Sequence, residues 1–542
     1  MNSKSTQVCS SNNMSELTGK YLIRLLEAYD VDVVFGIPGI HTVELYRGLA
    51  DSRIKHVTPR HEQGAGFMAD GYARMSGKPG VCLVITGPGL ANIATAMLQA
   101  RADSIPMLVI SGVNNPDRSS RGNLHEMPDQ SAFASSVAIK SFTVGRVEDI
   151  APAIHSAFTV FSTARPGPVH IEIPLSLMRA DCSAPSLHRS IQLPAPPPQP
   201  AEGEIRNAHD VINKAGSVVI LAGGGCRGSG SKLLELAVRL NALVITTANA
   251  RSHIPAHPLV VHASASLKPL RRVIEAADVV IAIGTELGPT DYDVYETEGP
   301  LDIKLLVRID IDPQQLDTNH VANVGLCCLA RVGINALLWG VDKKNNNVSI
   351  DTISNEIWGE LSDNYKQLIR LLEQLRKNVD SAVIVGDSTE LIYAGNLAFA
   401  PGDRGAWFNS AVGFGTLGYA LSAAIGAKLA RPDLPLFCLI GDGGLQFSLS
   451  ELGTLEELGL PMVVVVWNNQ GYGEIREFMK AKGIKPEGVD LAAPDFCAIA
   501  QAYGINAARA GSATELLTMI DQAYKHNKAM LIDVSVNDQF EF

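Results

Sequence analysis

Short apolar runs that end in glycine-rich turns recur along the chain, and a helix-like stretch follows each of them. Three clear examples are Val81–Ile85 before Thr86–Gly89, Ser217–Leu221 before Gly223–Gly225, and Leu436–Ile440 before Gly441–Gly444. Strands that alternate with helices in this way are typical of βαβ units, whose strands form parallel sheets covered by helices. The pattern therefore predicts an α/β protein built from doubly wound parallel sheets.

The length and two breaks in the pattern predict three domains. With 542 residues, and roughly 100–200 residues per domain, the chain is too long for a single core. The proline-rich stretch Leu193–Pro200 and the polar stretch Lys343–Val348 mark the breaks. We predict an N-terminal domain over 15–185, a central domain over 203–340 and a C-terminal domain over 380–542. A helical connector over about 351–378 precedes the third domain, and residues 1–17 form a polar tail.

The first and third domains share a repeated sequence pattern. Gly89-Leu90 precedes Pro106-Met107 by 17 positions, and Gly444-Leu445 precedes Pro461-Met462 by the same 17. An apolar strand comes before each pair and a helix lies within each interval. The repeated pattern predicts that these two domains are related.

Charge and composition exclude several function classes. The net charge is −11, without a basic patch, which argues against a nucleic-acid partner. The longest apolar runs, such as Pro461–Trp467, fall far short of the ~20 residues that a membrane span needs. The eight cysteines are scattered without a C-x-x-C pair, which favours a reduced, cytoplasmic protein without a zinc site.

The best candidate ligand site lies at two strand ends of the third domain. Asp442, Gly443 and Gly444 follow one predicted strand, and Asn469 follows the next. Because adjacent parallel strands end at one edge of a sheet, Asp442 and Asn469 should converge. Their oxygens suit Mg²⁺ or Ca²⁺, and the glycine N–H groups suit phosphate. The pattern predicts a metal bridged to a diphosphate; the alternative is an ordinary turn whose Asp only orders the loop.

This pairing resembles the signature of thiamine-diphosphate enzymes, the family of acetohydroxyacid synthases and 2-oxo acid decarboxylases. The resemblance runs from about Thr18 to Val534. It implies that Asp442, Asn469 and the main-chain carbonyl of Gly471 hold Mg²⁺. It also implies a second diphosphate loop made of Gly386, Asp387, Ser388 and Thr389. The N-terminal domain would then bind the pyrimidine ring of the cofactor, and the C-terminal domain its diphosphate.

The resemblance also assigns the residues around the pyrimidine ring. Arg60–Ala65 resembles the segment whose glutamate hydrogen-bonds the ring and activates it, which makes Glu62 the candidate catalytic residue. Pro38 and Gly39 belong to the loop beside that glutamate. The stretch that cradles the ring contains Gly415, Thr416 and Leu417; the Gly415 carbonyl accepts from the 4′-amino group, and Leu417 wedges between the two rings. In the family these two groups of residues come from different subunits, so a homodimer or homotetramer is expected.

Departures from the family pattern bear on further cofactors. Acetohydroxyacid synthases carry FAD in the central domain, but their Phe-Asp-Asp-Arg-like stretch is absent here, which makes FAD doubtful. The cluster Gly223–Gly225 is weak evidence for bound NAD. Benzoylformate decarboxylases have a histidine where this chain has Thr86, so that catalytic histidine is absent.

Other departures bear on the substrate. Glu474 and Glu477 lie three residues apart on a predicted helix and therefore share one face. With Asp291 and Asp293 they suggest a site for a cationic 2-oxo acid, and the pattern is most similar to 5-guanidino-2-oxopentanoate (2-ketoarginine) decarboxylases. The alternative is that Glu474 and Glu477 lie on a solvated helix face.

Three functions stay open. The favoured one is non-oxidative decarboxylation of a basic 2-oxo acid. The second is an acetolactate-synthase-type carboligase acting on pyruvate. The third is a non-catalytic thiamine-diphosphate-binding regulatory protein, against which the intact Glu62, Asp442 and Asn469 argue.

Overall fold

The computed structural model describes residues 15–115, 121–183, 195–294, 298–345, 350–379, 381–402, 405–536 and 540–542. The polar tail predicted for residues 1–17 lies mostly outside the described residues, as do 193–194 of the proline-rich stretch and 346–348 of the polar break. The described residues form three sheets of six parallel strands, each flanked by helices. The predicted α/β fold class is confirmed.

The N-terminal sheet has the strand order β3-β2-β4-β5-β7-β6. Its strands are β2 (Val33–Gly36), β3 (Lys55–Val57), β4 (Gly80–Val84), β5 (Met107–Val113), β6 (Lys140–Thr143) and β7 (Pro168–Pro174), while β1 (Ser15–Leu17) and β8 (Asp181–Ser183) pair antiparallel beside it. The helices are α1 (Thr18–Ala28), α2 (Val43–Leu49), α3 (Glu62–Ser76), α4 (Pro88–Ala102), α5 (Gln130–Val137), α6 (Ile150–Thr163) and α7 (Leu175–Met178).

The central sheet has a different order, β11-β10-β9-β12-β13-β14. Its strands are β9 (Val218–Ala222), β10 (Leu243–Thr246), β11 (Val260–Val261), β12 (Val279–Ile283), β13 (Leu306–Asp310) and β14 (Val324–Cys327). The helices are α8 (Glu202–Lys214), α9 (Gly230–Leu240), α10 (Lys268–Ala276), α11 (Pro289–Tyr292) and α12 (Ala330–Gly340), and two more, α13 (Ile350–Glu360) and α14 (Asp363–Asn378), lead into the third sheet.

The C-terminal sheet has the order β16-β15-β17-β18-β20-β19. Its strands are β15 (Val383–Gly386), β16 (Ala406–Asn409), β17 (Leu436–Gly441), β18 (Val463–Asn468), β19 (Asn506–Ala510) and β20 (Met530–Ser535). The helices are α15 (Glu390–Ala398), α16 (Tyr419–Ala430), α17 (Asp442–Gln446), α18 (Glu451–Glu457), α19 (Gly473–Ala481), α20 (Phe496–Ala502) and α21 (Ala513–His526). When the six strands of each sheet are numbered in chain order, this sheet and the N-terminal sheet have the same order of neighbouring strands. The match supports the relation between the two domains that the repeated sequence pattern predicts.

Helices α3 and α16 join the N-terminal and C-terminal sheets into one apolar core. Two glycines permit the close approach: a Cβ at Gly71 would lie 1.9 Å from the Ala423 carbonyl oxygen, and one at Gly426 would lie 1.9 Å from that of Met68. Since Gly71 meets Ala423 and the earlier Met68 meets the later Gly426, the helices run antiparallel. No helix in the described parts of the chain is long and apolar enough to cross a bilayer.

A buried ion network ties the three domains together. The guanidinium of Arg74 pairs with Asp70 and with Asp103, each at 2.6 Å, and stacks over the ring of Phe408 at 5.4 Å from its centroid. Asn249 of the central domain donates to Asp103 at 3.1 Å. Both carboxylates are almost fully buried, so they depend on the Arg74 charge for compensation.

We predict that Arg74→Met lowers the thermal unfolding midpoint by roughly 5–10 °C, since breaking a buried ion pair costs about 3–5 kcal/mol. Differential scanning fluorimetry of purified protein measures the change. Lys525→Met is the matched control, because Lys525 forms an exposed pair with Asp521, and such pairs contribute about 0–1 kcal/mol. Equal midpoints for the two variants would contradict this role of the network.

Candidate functional site

The residues predicted to hold a metal lie together at the carboxyl edge of the C-terminal sheet. Strands β17 and β18 pair in parallel, and Asp442 follows β17 directly. The Asp442 carboxylate accepts hydrogen bonds from the backbone N–H of Asn469 at 3.3 Å and of Gly471 at 2.9 Å. One βαβ unit therefore brings Asp442, Asn469 and Gly471 into direct contact.

The electrostatics at Asp442 suit a cation shared with a ligand. Its side chain is buried, and burial raises the pKa of the carboxyl above its ordinary value. Among the described residues, no cluster of three or more acidic, histidine or cysteine side chains could hold a metal. A site with one carboxylate, one amide and one carbonyl matches the way proteins hold Mg²⁺ together with phosphate oxygens. The residues present thus fit a magnesium diphosphate.

Glycines allow the loops at this edge of the sheet to pack closely. A Cβ at Gly443 would lie 2.7 Å from the Tyr472 ring, and one at Gly444 would lie 3.3 Å from Asp387. The second predicted loop is adjacent, because β15 pairs with β17, and a Cβ at Gly441 would meet the Thr389 hydroxyl at 3.4 Å. The loops that contain Gly386–Thr389 and Gly441–Gly444 therefore lie side by side at one edge of the sheet.

Within the second loop, Asp387 has a structural partner. Its carboxylate accepts from the backbone N–H of Ser388 at 2.8 Å and of Ala420 at 3.5 Å, at the start of α16. Burial raises the pKa of Asp387 to about 6. The Asp387 carboxylate thus caps α16. Ser388 and Thr389 are the residues of this loop whose side chains carry hydroxyl groups.

The predicted pyrimidine cradle is a tight turn before α16. Gly415 has a φ of +73°, which other residues adopt with strain, and Leu417 is half-buried. Ser410 donates to the Thr416 carbonyl at 2.6 Å. From α4, the side-chain oxygen of Gln99 accepts from both the N–H and the hydroxyl of Thr416 at 3.3 Å.

Gln99 was missed by the sequence analysis. It is fully buried, donates to Asp103 at 2.8 Å and to the Val412 carbonyl at 3.4 Å, and so connects the domain junction to the cradle. Its position on a helix gave no signal that would reveal a partner 317 residues away.

Glu62 opens α3 at the edge of the N-terminal sheet. His61 caps the helix by accepting from the N–H of Gln63, and the buried Glu62 carboxylate accepts from the Asn92 side chain at 2.9 Å. The loop with Pro38 and Gly39 packs on the neighbouring strand end, where a Cβ at Gly39 would lie 2.4 Å from Ile85.

Glu62 and the cradle lie apart within one chain. Tyr419, two residues after Leu417, hydrogen-bonds Asp70 of α3, which is eight residues beyond Glu62. At 1.5 Å per residue this is about 12 Å along the helix. Gln99, whose side chain hydrogen-bonds Thr416 of the cradle, lies seven residues beyond Asn92 on α4. This spacing is about 10 Å along the helix.

The four acidic residues proposed for a cationic substrate separate into two places. Glu474 and Glu477 lie on α19, which buries none of its residues, and Glu477 pairs with Lys480 at 2.7 Å. In the central domain, Asp291 accepts from the Thr285 hydroxyl and Asp293 from the N–H of Gly299. The two aspartates are thus bonded within the central domain, away from Glu474 and Glu477 on α19.

The corresponding edge of the central domain is filled by the chain itself. A Cβ at Gly223 would lie 2.2 Å from the Gly284 carbonyl oxygen, so the glycine cluster serves backbone packing. The buried Arg308 donates to the carbonyls of Thr285 and Glu286 at 3.0 and 3.1 Å. Gly223 and Arg308 therefore have structural partners within the central domain.

Comparison with known proteins identifies all three domains. Family models described as the N-terminal, central and C-terminal domains of thiamine pyrophosphate enzymes match residues 17–133, 205–337 and 388–534. A probable 2-ketoarginine decarboxylase, AruI, of Pseudomonas aeruginosa is 41% identical over 90% of this chain and 88% of its own length. An acetolactate synthase of Mycobacterium leprae is 30% identical, covering 96% and 87%, and a probable acetolactate synthase large subunit of Methanococcus aeolicus is 28% identical, covering 95% and 91%. The resemblance stated from the motifs is confirmed.

We predict that Asp442→Ala abolishes metal-dependent binding of the diphosphate, because the site loses its one carboxylate. Isothermal calorimetry with thiamine diphosphate and Mg²⁺ measures the affinity. Asp521→Ala, an exposed acid on α21, is the control and keeps the wild-type affinity. An unchanged affinity of Asp442→Ala would place the metal elsewhere.

Proposed function

Because the chain belongs to the thiamine pyrophosphate enzyme family, we propose that it is a Mg²⁺-dependent, non-oxidative decarboxylase of a 2-oxo acid with a cationic side chain. The convergence of Asp442, Asn469 and Gly471 at one sheet edge carries the proposal for the cofactor site. The substrate class rests on Glu474 and Glu477 and on the likeness to the 2-ketoarginine decarboxylase.

The C-terminal domain holds the diphosphate end of the cofactor. Asp442, the Asn469 side chain and the Gly471 carbonyl would hold Mg²⁺, and the N–H groups of Gly443 and Gly444, at the start of α17, would donate to phosphate. Ser388 and Thr389 add hydroxyl donors from the adjacent loop. The metal supplies the positive charge that the buried Asp442 requires.

The pyrimidine end requires Glu62 and the cradle together. Glu62 would hold a proton at the ring nitrogen of a bound cofactor, the Gly415 carbonyl would accept from its amino group, and Leu417 would contact it. When bound, thiamine diphosphate supplies the ring that accepts the electron pair of the broken carbon–carbon bond. Asn92 orients the Glu62 carboxylate for this contact.

A second copy of the chain completes the site. Glu62 and the cradle are about 10–12 Å apart along two helices of one chain. Each half also exposes apolar side chains: Ile40, Val43 and Leu124 in the N-terminal domain, and Phe414, Phe447, Ile475 and Phe478 in the C-terminal domain. A homodimer that joins the N-terminal patch of one copy to the C-terminal patch of the other buries both.

Helix α19 then lies over the reacting end of the substrate. Glu474 and Glu477 provide two carboxylates for a guanidinium or ammonium group, and Ile475 and Phe478 provide apolar contacts for its alkyl chain. Burial beneath a second copy strengthens such a charge pair, since water no longer screens it.

The second candidate is a carboligase that joins two molecules of pyruvate. The acetolactate synthase relatives at 28–30% identity favour it, but they are less similar to this chain than the decarboxylase is. The intact Glu62, Asp442 and Asn469 argue against a non-catalytic binding protein.

The decisive assay offers 5-guanidino-2-oxopentanoate and pyruvate to enzyme loaded with thiamine diphosphate and Mg²⁺. We expect aldehyde from the guanidino acid and little acetolactate from pyruvate. Glu474→Gln and Glu477→Gln are compared on both substrates, and at least one should lose about 10²–10³ in kcat/KM on the guanidino acid, because it removes one partner of a buried charge pair.

The effect on pyruvate should be small, since pyruvate has no distal charge. Glu235→Gln, an exposed acid of the central domain, is the matched control. Acetolactate from pyruvate with no activity on the guanidino acid would establish the carboligase instead.

A further inference from the structure

A buried glutamate of the C-terminal domain contacts the start of α3. Glu451 is the first residue of α18, and it is 2% exposed. Its Oε1 atom accepts from the backbone N–H of Arg60 at 2.9 Å and of His61 at 3.1 Å, and its Oε2 atom accepts from the Thr454 hydroxyl at 2.7 Å. Arg60 and His61 directly precede Glu62. A side chain 390 residues away therefore holds the backbone that leads into the proposed catalytic glutamate.

The contact replaces a side chain that the helix itself lacks. In a capping box, a Glu or Gln at the third helical position bonds the N–H of the residue that caps the helix. The capping residue of α3 is His61, and its third position is Gly64, which has no side chain. Glu451 supplies the carboxylate from another domain instead.

Gly64 also provides the space for that carboxylate. A Cβ at Gly64 would lie 2.3 Å from Oε1 of Glu451, and the nearest atoms outside the helix backbone all belong to the Glu451 side chain. Glycine is a weaker helix former than alanine. The first turn of α3 therefore contains a weak helix former at the one position where Glu451 approaches it.

The surroundings of the carboxylate hold it in one arrangement. Burial raises the pKa of Glu451, whereas the Thr454 hydroxyl and the N–H groups of Arg60 and His61 stabilise its charged form. The first N–H groups of a helix have no partner within the helix, and the helix dipole favours a negative charge there. Both sides of the contact thus lose bonds if the first turn of α3 moves.

A second contact from α18 is weaker. Glu457 pairs with the Arg60 guanidinium at 2.5 Å, but the Glu457 side chain is 59% exposed. Exposed pairs of this kind contribute little to stability. Glu451 is therefore the residue of α18 that fixes the segment before Glu62.

We propose that Glu451 is a positioning residue for Glu62, an inference that rests on the role of Glu62 in the proposed function. Asn92 donates to the carboxylate of Glu62 at 2.9 Å, and Glu451 fixes the backbone from which that side chain extends. Glu451 acts through Glu62 and takes no part in the reaction itself. It keeps the Glu62 carboxylate where the ring nitrogen of a bound cofactor would meet it.

The test measures activation of the cofactor without substrate. Deuterium exchange at the thiazolium C2 of bound thiamine diphosphate is followed by rapid quenching and NMR, at saturating cofactor and Mg²⁺. We expect Glu451→Ala to slow the exchange by about 10², the cost of a displacement of roughly 1 Å. Glu451→Gln should lose less than about tenfold, because its amide oxygen still accepts from the N–H groups. Glu456→Gln, an exposed acid on α18, is the matched control.

Gly64→Ala is the second variant. Its methyl group displaces the Glu451 carboxylate, while alanine favours the helix. We expect it to slow C2 exchange by about the same factor as Glu451→Ala. Because this variant keeps Glu451 in the chain, it keeps the test decisive if Glu451→Ala does not fold.

A double-mutant cycle separates positioning from a general structural role. If Glu451 acts only through Glu62, adding Glu451→Ala to Glu62→Gln should change C2 exchange by less than about twofold. Amide hydrogen exchange of the cofactor-free protein gives an independent measurement. The peptide spanning 58–66 should exchange faster in Glu451→Ala and Gly64→Ala than in Glu456→Gln, because the N–H groups of Arg60 and His61 lose their partner.

Wild-type C2 exchange in both Glu451→Ala and Gly64→Ala would overturn the proposal, as would losses that multiply in the cycle. Failure of the proposed substrate is distinguishable, because decarboxylation and carboligation both need the activated ring and the assay contains no 2-oxo acid. If Glu62→Gln alone exchanges at the wild-type rate, the proposed role of Glu62 is wrong, and the positioning role of Glu451 falls with it.

Discussion

The close packing of α3 against α16 is the constraint on which the arrangement of the site depends. Glycines at positions 71 and 426 let the two backbones touch, and this contact fixes the N-terminal domain against the C-terminal domain of the same chain. Glu62 is held at one end of the helix pair, and the cradle around Leu417 is held toward the other. Neither can shift without opening the shared core, so the site we infer must draw its two halves from two copies.

Charge compensation imposes the second constraint. Asp70 and Asp103 are buried beside Arg74, so each carboxylate contacts a positive charge of the same chain. Asp442 is equally buried but accepts only backbone N–H groups, and burial raises its pKa. This difference separates a structural acid from one suited to a metal, because under the proposed function a bound cation would compensate the charge of Asp442. A diphosphate bound to that cation would then complete the coordination that the protein oxygens leave open.

Strand patterns were sufficient to predict the fold class and the proximity of Asp442 and Asn469, while Gly471 was named from the family resemblance. Residues that follow neighbouring parallel strands meet at one edge, so their proximity can be inferred from short spacings. Gln99 could not be found in this way, since its partners Val412 and Thr416 come from a distant segment of the chain. Residue type alone also could not show that the Asp387 carboxylate caps α16, or that the Asp291 carboxylate is hydrogen-bonded within its own loop.

The central claim is that Glu62 of one copy acts with Asp442 of another, and mixing two inactive variants tests it most directly. Glu62→Gln and Asp442→Ala subunits, each inactive alone, are unfolded together, refolded and assayed. If the site spans two copies, random pairing makes half of the dimers mixed, and each mixed dimer has one intact site, which restores about a quarter of the wild-type activity. If the site lay within one chain, every site in the mixture would carry one of the two substitutions. Activity no higher than that of the separate variants would contradict the account.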